Sequence, residues 1–118
     1  RDKDPAELAQ QVDRVLAQYQ IAPESIYKIA SIDLKTHERA ICQLAETWKV
    51  PFVTFSAETL LQVPGAYALS EFVKQTTGVG NVCERAAVAA LEEQKRKNPK
   101  WICRKQAGNG VTVALLET

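Results

Sequence analysis

Apolar residues recur at helical spacing near the start of the chain. Leu8, Val12, Val15, Leu16 and Tyr19 fall on one stripe, with polar residues and alanines between them. A helix turns once every 3.6 residues, so such positions share a face. The spacing predicts a helix over residues 4–19. Asp4 suits its N-cap, Pro5 its first position and Glu7 the positive end of its dipole. Pro23-Glu24-Ser25 then reads as a turn. The apolar density of residues 26–33 predicts a strand in a sheet interior. Helical spacing returns in Ala40, Ile41, Leu44, Ala45 and Trp48, predicting a helix over 37–49 capped by Thr36. Pro51 stops that helix and opens a short strand over 52–55. Strand, helix and strand in succession form a βαβ unit, with parallel strands and a right-handed crossover.

Ser56 is placed to cap a short helix over 57–61, which Pro64-Gly65 breaks. Ser70 is placed to cap another over 71–75. Gly78-Val79-Gly80-Asn81 reads as a tight turn before an alanine-rich helix from Val82 to about Lys97. Its small residues let it lie close against a sheet, and Asn98-Pro99 closes it. The last segment offers two strands, 101–105 and 111–116, joined through Gln106-Ala107-Gly108-Asn109-Gly110. Asn-Gly is a hairpin signal because both residues tolerate positive φ. The expectation is a three-layer α/β/α sandwich with a mixed sheet: a parallel βαβ part plus a C-terminal antiparallel hairpin. No repeat or linker divides the chain, so residues 1–118 read as one domain.

Composition narrows the function. Hydrophobic residues make up 46% and charged residues 25%, an ordinary globular balance. Fifteen basic and fourteen acidic side chains leave a net charge of +1. That argues against nucleic acid as a partner. No apolar run approaches the roughly 18 residues that span a bilayer, so no membrane association is expected. Arg1-Asp2-Lys3-Asp4 is too polar for a signal peptide. Cys42, Cys83 and Cys103 are odd in number and widely spaced, and His37 is the lone histidine. No zinc ligand set assembles from these, and three free thiols fit a reducing cytoplasm. A Cys/His37 nucleophile gains little from spacing alone, and no Gly-x-Ser-x-Gly elbow is present.

Three constellations carry possible chemistry. The first is Ala30-Ser31-Ile32-Asp33-Leu34-Lys35-Thr36-His37-Glu38, at the carboxyl end of a predicted strand. Ligands of open α/β sheets bind there. Lys35 is placed to meet an anion and Glu38 to act as base or acid. The alternative is structural: Asp33 and Thr36 shape the turn, Lys35 is solvated and Glu38 complements the helix dipole. The second is Gly78-Val79-Gly80 before a helix, with Glu84 one turn in. Its amides either face an anion or simply turn the chain, and neither a P-loop nor a full dinucleotide motif is present. The third is the basic set Lys95, Arg96, Lys97, Lys100, Arg104 and Lys105. The set could attract a polyanion, but its first three members read more simply as a solvated helix end. Lys105 stands apart, at a strand end beside the glycine turn.

In order along the chain, these segments resemble one family. Ala30-Ser31-Ile32-Asp33-Leu34-Lys35 with Glu38 is similar to its A-S-I-D-x-K-x-x-E motif. Val50-Pro51-Phe52 and Phe55-Ser56-Ala57-Glu58-Thr59-Leu60 resemble its next segment. Ser70-Glu71-Phe72-Val73 and Gly78-Val79-Gly80-Asn81-Val82-Cys83-Glu84-Arg85-Ala86-Ala87 resemble its S-x-x-V and G-V-x-x-V-x-E-x-A-A signature. Lys105 with Gly108-Asn109-Gly110-Val111-Thr112-Val113-Ala114 resembles its close. The family is the carboxy-terminal domain of the cobalamin-biosynthesis protein CbiG, shared with the stand-alone CobE. Members usually begin with a strand ending in a glycine-rich segment, and this sequence starts at Arg1 just past that point.

The resemblance implies a fragment of a longer protein that works on cobalt-precorrin-5A. The implied reaction opens the ring-A δ-lactone and releases acetaldehyde. The alternative is a non-catalytic, CobE-like module that holds a corrinoid. Glu38 and Glu84 are then the candidate acid or base. Lys35, Ser70, Gly78, Gly80 and Lys105 are the candidate substrate contacts. No cofactor is expected, since cobalt comes with the substrate. The expected partners are the corrinoid intermediate and either amino-terminal CbiG domains or a fused precorrin methyltransferase.

Overall fold

The computed structural model describes residues 4–63, 81–93, 99–108 and 111–117. Helix α1 spans Pro5–Gln18, and the Asp4 carboxylate accepts the Ala6 N–H at 3.2 Å, as an N-cap should. Its buried face is Leu8, Gln11, Val12, Val15 and Leu16. Each apolar member of that face stabilises the fold by roughly 1.5–3 kcal/mol. After a 3-10 turn at Pro23–Ser25, strand β1 spans Ile29–Ile32. It is shorter than the expected 26–33, because the turn carries the chain past Ile26 before a partner strand is reached.

Helix α2 spans Arg39–Trp48, with Glu38 rather than Thr36 at its N-cap position. Thr36 is occupied elsewhere: a second 3-10 turn, Asp33–Lys35, follows β1 and engages its hydroxyl. At the far end Lys49 adopts a left-handed conformation with φ 58°, and Val50 N–H reaches back to the Ala45 carbonyl at 3.1 Å. That closure normally favours glycine. Strand β2 spans Phe52–Phe55 and pairs in parallel with β1, Ile29 opposite Phe52 and Ile32 opposite Phe55. Helix α3 spans Ala57–Leu61 and is capped by Ser56, whose hydroxyl accepts the Thr59 N–H at 3.1 Å.

Helix α4 spans Val82–Glu93. The expected extension to Lys97 lies outside the described residues, as do the 71–75 helix and the turn glycines at 78 and 80. Strands β3, Lys100–Gly108, and β4, Val111–Glu117, form the antiparallel hairpin. Residues 106–108, expected in the connecting loop, continue β3 instead, because Gln106, Ala107 and Gly108 pair with Val113, Thr112 and Val111. Gly108 is needed where it stands. A Cβ there would lie 2.7 Å from the Gln11 side-chain amide, so α1 sits directly on the strand.

Among the described residues the strands form two separate two-stranded ladders rather than one continuous sheet. Both halves of the expected fold are present, and α4 joins them by packing across β1 and β4. The core is correspondingly divided. Ile32, Leu60, Val63, Ala86 and Ala89 bury the α3–α4 side. Leu8, Val12, Leu16, Ala40 and Val111 bury the α1–α2 side. The result is the three-layer order, helices on both faces of the strands. No helix among the described residues is long and apolar enough to cross a membrane.

Candidate functional site

Two polar corners form at one edge of the molecule. The parallel pairing of β1 and β2 puts their carboxyl ends side by side. Helix α4 runs antiparallel to them. Its last turn meets the start of β1, with Lys28 Nζ 3.9 Å from Glu93. Its first turn meets the chain after β2, where the Arg85 guanidinium donates to the Leu60 carbonyl at 3.1 Å. The start of α4 therefore lies at the same edge as the carboxyl ends of the parallel strands.

The first corner is the loop after β1. Thr36 N–H donates to the Asp33 carbonyl at 3.0 Å, and Glu38 N–H to the Lys35 carbonyl at 2.9 Å. The Thr36 hydroxyl donates to the Asp33 carbonyl at 2.8 Å and shares a hydrogen bond with the Thr54 hydroxyl at 3.2 Å. These bonds fix the loop to β2. They leave Lys35 and Glu38 on one side, Nζ to Oε2 3.3 Å. The Lys35 side chain is 42% exposed and that of Glu38 only 11%. Leu34 next to them is exposed. His37 is exposed as well.

The second corner is built on Glu84, which is 1% exposed. The Asn81 side-chain amide donates to its Oε1 at 2.8 Å, and the Glu84 N–H returns a bond to Asn81 Oδ1 at 3.4 Å. This is a variant of the capping box, with asparagine held at φ 56°. Arg104 adds two bonds, Nε to Oε2 at 3.0 Å and a terminal nitrogen to Oε1 at 2.9 Å. The Arg104 guanidinium also stacks over Trp101, 4.5 Å from the ring centre. Lys105 N–H completes the set at 2.6 Å from Oε2.

That last bond has a local cause. Cys103 pairs with Leu115 and Gln106 with Val113, so two residues of β3 face Ala114 alone. Arg104 and Lys105 form this bulge. Lys105 is thus mid-strand, not at a strand end beside the glycine turn.

The electrostatics of this corner follow from its contacts. Burial alone would raise the Glu84 pKa, but Arg104, the Lys105 N–H and Asn81 outweigh it and hold the carboxyl below its usual value. Burial pushes the neighbouring Cys83 thiol up to about 11, opposed in part by the Thr112 hydroxyl and the Lys105 charge. Cys42 is exposed and Cys103 buried, and all three thiols are free. Among the described residues no three His, Cys, Asp or Glu side chains cluster as a metal site would require.

Four of the sequence-selected residues thus fall into two pairs, Lys35 with Glu38 and Glu84 with Lys105. Ser70, Gly78 and Gly80 lie outside the described residues. Sequence reasoning missed Asn81, Thr54, Trp101 and Arg104 as supporting residues. Asn81-x-x-Glu84 ahead of an apolar run carries a capping signature that was readable. The Arg104 contact, twenty positions away, had no local signal.

Comparison with known proteins identifies relatives of this chain. The family described as "Cobalamin synthesis G C-terminus" matches residues 1–116. The cobalt-precorrin-5A hydrolase of Salmonella typhimurium is 39% identical over 80 residues, covering 68% of this chain and 23% of that protein. The probable cobalt-precorrin-5A hydrolase of Methanocaldococcus jannaschii is 35% identical over 91 residues, covering 73% of this chain and 28% of that protein. The chain thus spans about a quarter of the length of these curated relatives. The crystal structure of CobE, a protein from the cobalamin (vitamin B12) biosynthetic pathway, matches with a TM-score of 0.87 at 24% identity. That match covers 98% of this chain and 85% of CobE, and it shows the shared fold.

Proposed function

Because the chain belongs to the cobalamin synthesis G C-terminal family, we propose that it serves cobalamin biosynthesis as part of a cobalt-precorrin-5A hydrolase. The observation that carries this reading is the Lys35–Glu38 pair, 3.3 Å apart at the carboxyl ends of a parallel strand pair. It sets an acid–base group and a cation side by side at the edge where α/β folds bind ligands.

In this reading Lys35 turns from Glu38 to a substrate carboxylate, which frees Glu38 to accept a proton. Water adds to the lactone carbonyl carbon as Glu38 takes its proton. The ring C–O bond then breaks, leaving a carboxylate and a hydroxyl. Glu38 returns its proton to solvent and then accepts the hydroxyl proton, which lets the adjacent C–C bond break. Its electron pair passes to the macrocycle and acetaldehyde departs. Lys105 holds a second carboxylate of the corrinoid, and Ser70 with the amides at Gly78 and Gly80 completes the contacts. Cobalt enters as part of the substrate, and the protein brings no cofactor. Amino-terminal domains, or a fused precorrin methyltransferase, supply the rest of the site in the cytoplasm.

The test is direct. Cobalt-precorrin-5A is added to the chain, binding is followed by the corrinoid absorption shift, and acetaldehyde is trapped. Release that Glu38→Gln abolishes supports the hydrolase reading. An absorption shift without acetaldehyde makes the domain a corrinoid-holding module, in keeping with its likeness to CobE. Neither signal sinks both.

A further inference from the structure

The Glu84 carboxylate accepts four hydrogen bonds, and proton transfer does not account for them. Its two oxygens accept from Asn81, twice from Arg104, and from the Lys105 N–H. A carboxylate loaded in this way is a weak proton acceptor. The Lys105 bond is the informative one. The bulge takes Arg104 and Lys105 out of the pairing with β4, and such bulges re-aim side chains. The Lys105 N–H turns to Glu84 instead.

From this geometry we infer that Glu84 is a positioning residue: it pins the Arg104–Lys105 bulge to α4 so that the Lys105 ammonium is presented to a substrate carboxylate. The inference rests on the proposed corrinoid-binding role of Lys105 and assigns Glu84 no part in moving protons. Glu84 acts at a distance from the bound group, through the backbone of the residue that touches it.

Two readouts test it on the intact chain. In amide NMR spectra the Lys105 N–H, bonded to a carboxylate, resonates far downfield and moves upfield in Glu84→Gln. In titrations with cobalt-precorrin-5A, Glu84→Gln and Lys105→Ala each weaken binding by about tenfold, the scale of one charge-assisted hydrogen bond. The double variant is no weaker than either single one, because both remove the same contact. Should Glu84→Gln fail to fold, Arg104→Gln, which removes two of the four donors from a half-exposed side chain, is expected to weaken binding in the same direction.

An unmoved Lys105 resonance overturns the clamp. So does a double variant about a hundredfold weaker, which means the two residues act independently. Loss of acetaldehyde release in Glu84→Gln with unchanged binding makes it a proton-transfer group and overturns the inference. Lys105→Ala with unchanged binding also overturns it, while leaving the hydrolase reading to stand on Glu38→Gln. Absence of binding by the unaltered chain instead sinks the hydrolase reading, and the Lys105 resonance then decides the clamp alone.

Discussion

The two corners use the same chemistry, a carboxylate with a lysine nearby, to opposite ends. Lys35 and Glu38 are three residues apart, and their contact is an ion pair between one half-exposed and one mostly covered side chain. Such a pair contributes little to stability and is cheap to open. Glu84 meets donors from Asn81, just ahead of α4, and from β3, twenty residues on, with the carboxylate enclosed. Opening it strands a buried charge. The difference teaches that the donors the fold brings to a carboxylate, not residue type, separate an open carboxylate from a fastening one. On the proposed reading the first corner exchanges its partner for a substrate, whereas the second holds two elements together.

Substitutions can break that comparison. The largest effect is expected for Glu38→Gln, which should lower acetaldehyde release by about 10²–10⁴-fold, the usual worth of a general acid or base. Its unfolding midpoint should hardly move. If Glu38→Gln kept full activity while Glu84→Gln lost it with binding intact, the roles of the corners would be reversed. Glu84→Ala should cost about 2–3 kcal/mol in denaturant unfolding, somewhat under the usual cost of breaking a buried pair because Arg104 is half exposed. Gly108→Ala should cost about 1–3 kcal/mol by driving a Cβ against the Gln11 amide. Part of that should return in the Gln11→Ala/Gly108→Ala double variant.

The second corner should also be visible in pH dependence. Its folded pKa lies below the ordinary value of 4.5. The charged form is thus favoured by folding, and its contribution is complete above that value. It should be lost as pH falls from 4.5 through the lower folded value, and Glu84→Gln should flatten the stability curve there. The smallest effect belongs to Lys35→Ala, at most about 0.5 kcal/mol in stability. A larger loss would mean that the first corner is a fastening too.

Much of the fold was legible in local pattern. The limits of α1 followed from Asp4, Pro5 and the apolar stripe. The β2–Ser56–α3 passage matched residue for residue, because each boundary rests on a proline or a side-chain cap. Thr36 misled because two structures compete for its hydroxyl. As a cap it gains one N–H, but as part of the turn it ties the Asp33 carbonyl to β2 through Thr54. The site was half legible. Lys35 and Glu38 are near in sequence, so their pairing follows from loop geometry. Glu84 and Lys105 were found as residues, but their relation was not, because the bulge that joins them is a register event between β3 and β4.

By itself, the sequence determined the described helices, the parallel pair, the hairpin and the residues able to carry charge chemistry. These depend on periodicity, caps and turn residues, which act over a few positions. Only the tertiary structure decided which carboxylate is open and which is enclosed. That choice depends on donors brought from a distant strand, on the burial that removes water from one corner and leaves it at the other, and on a single N–H that the bulge turns from β4 to Glu84.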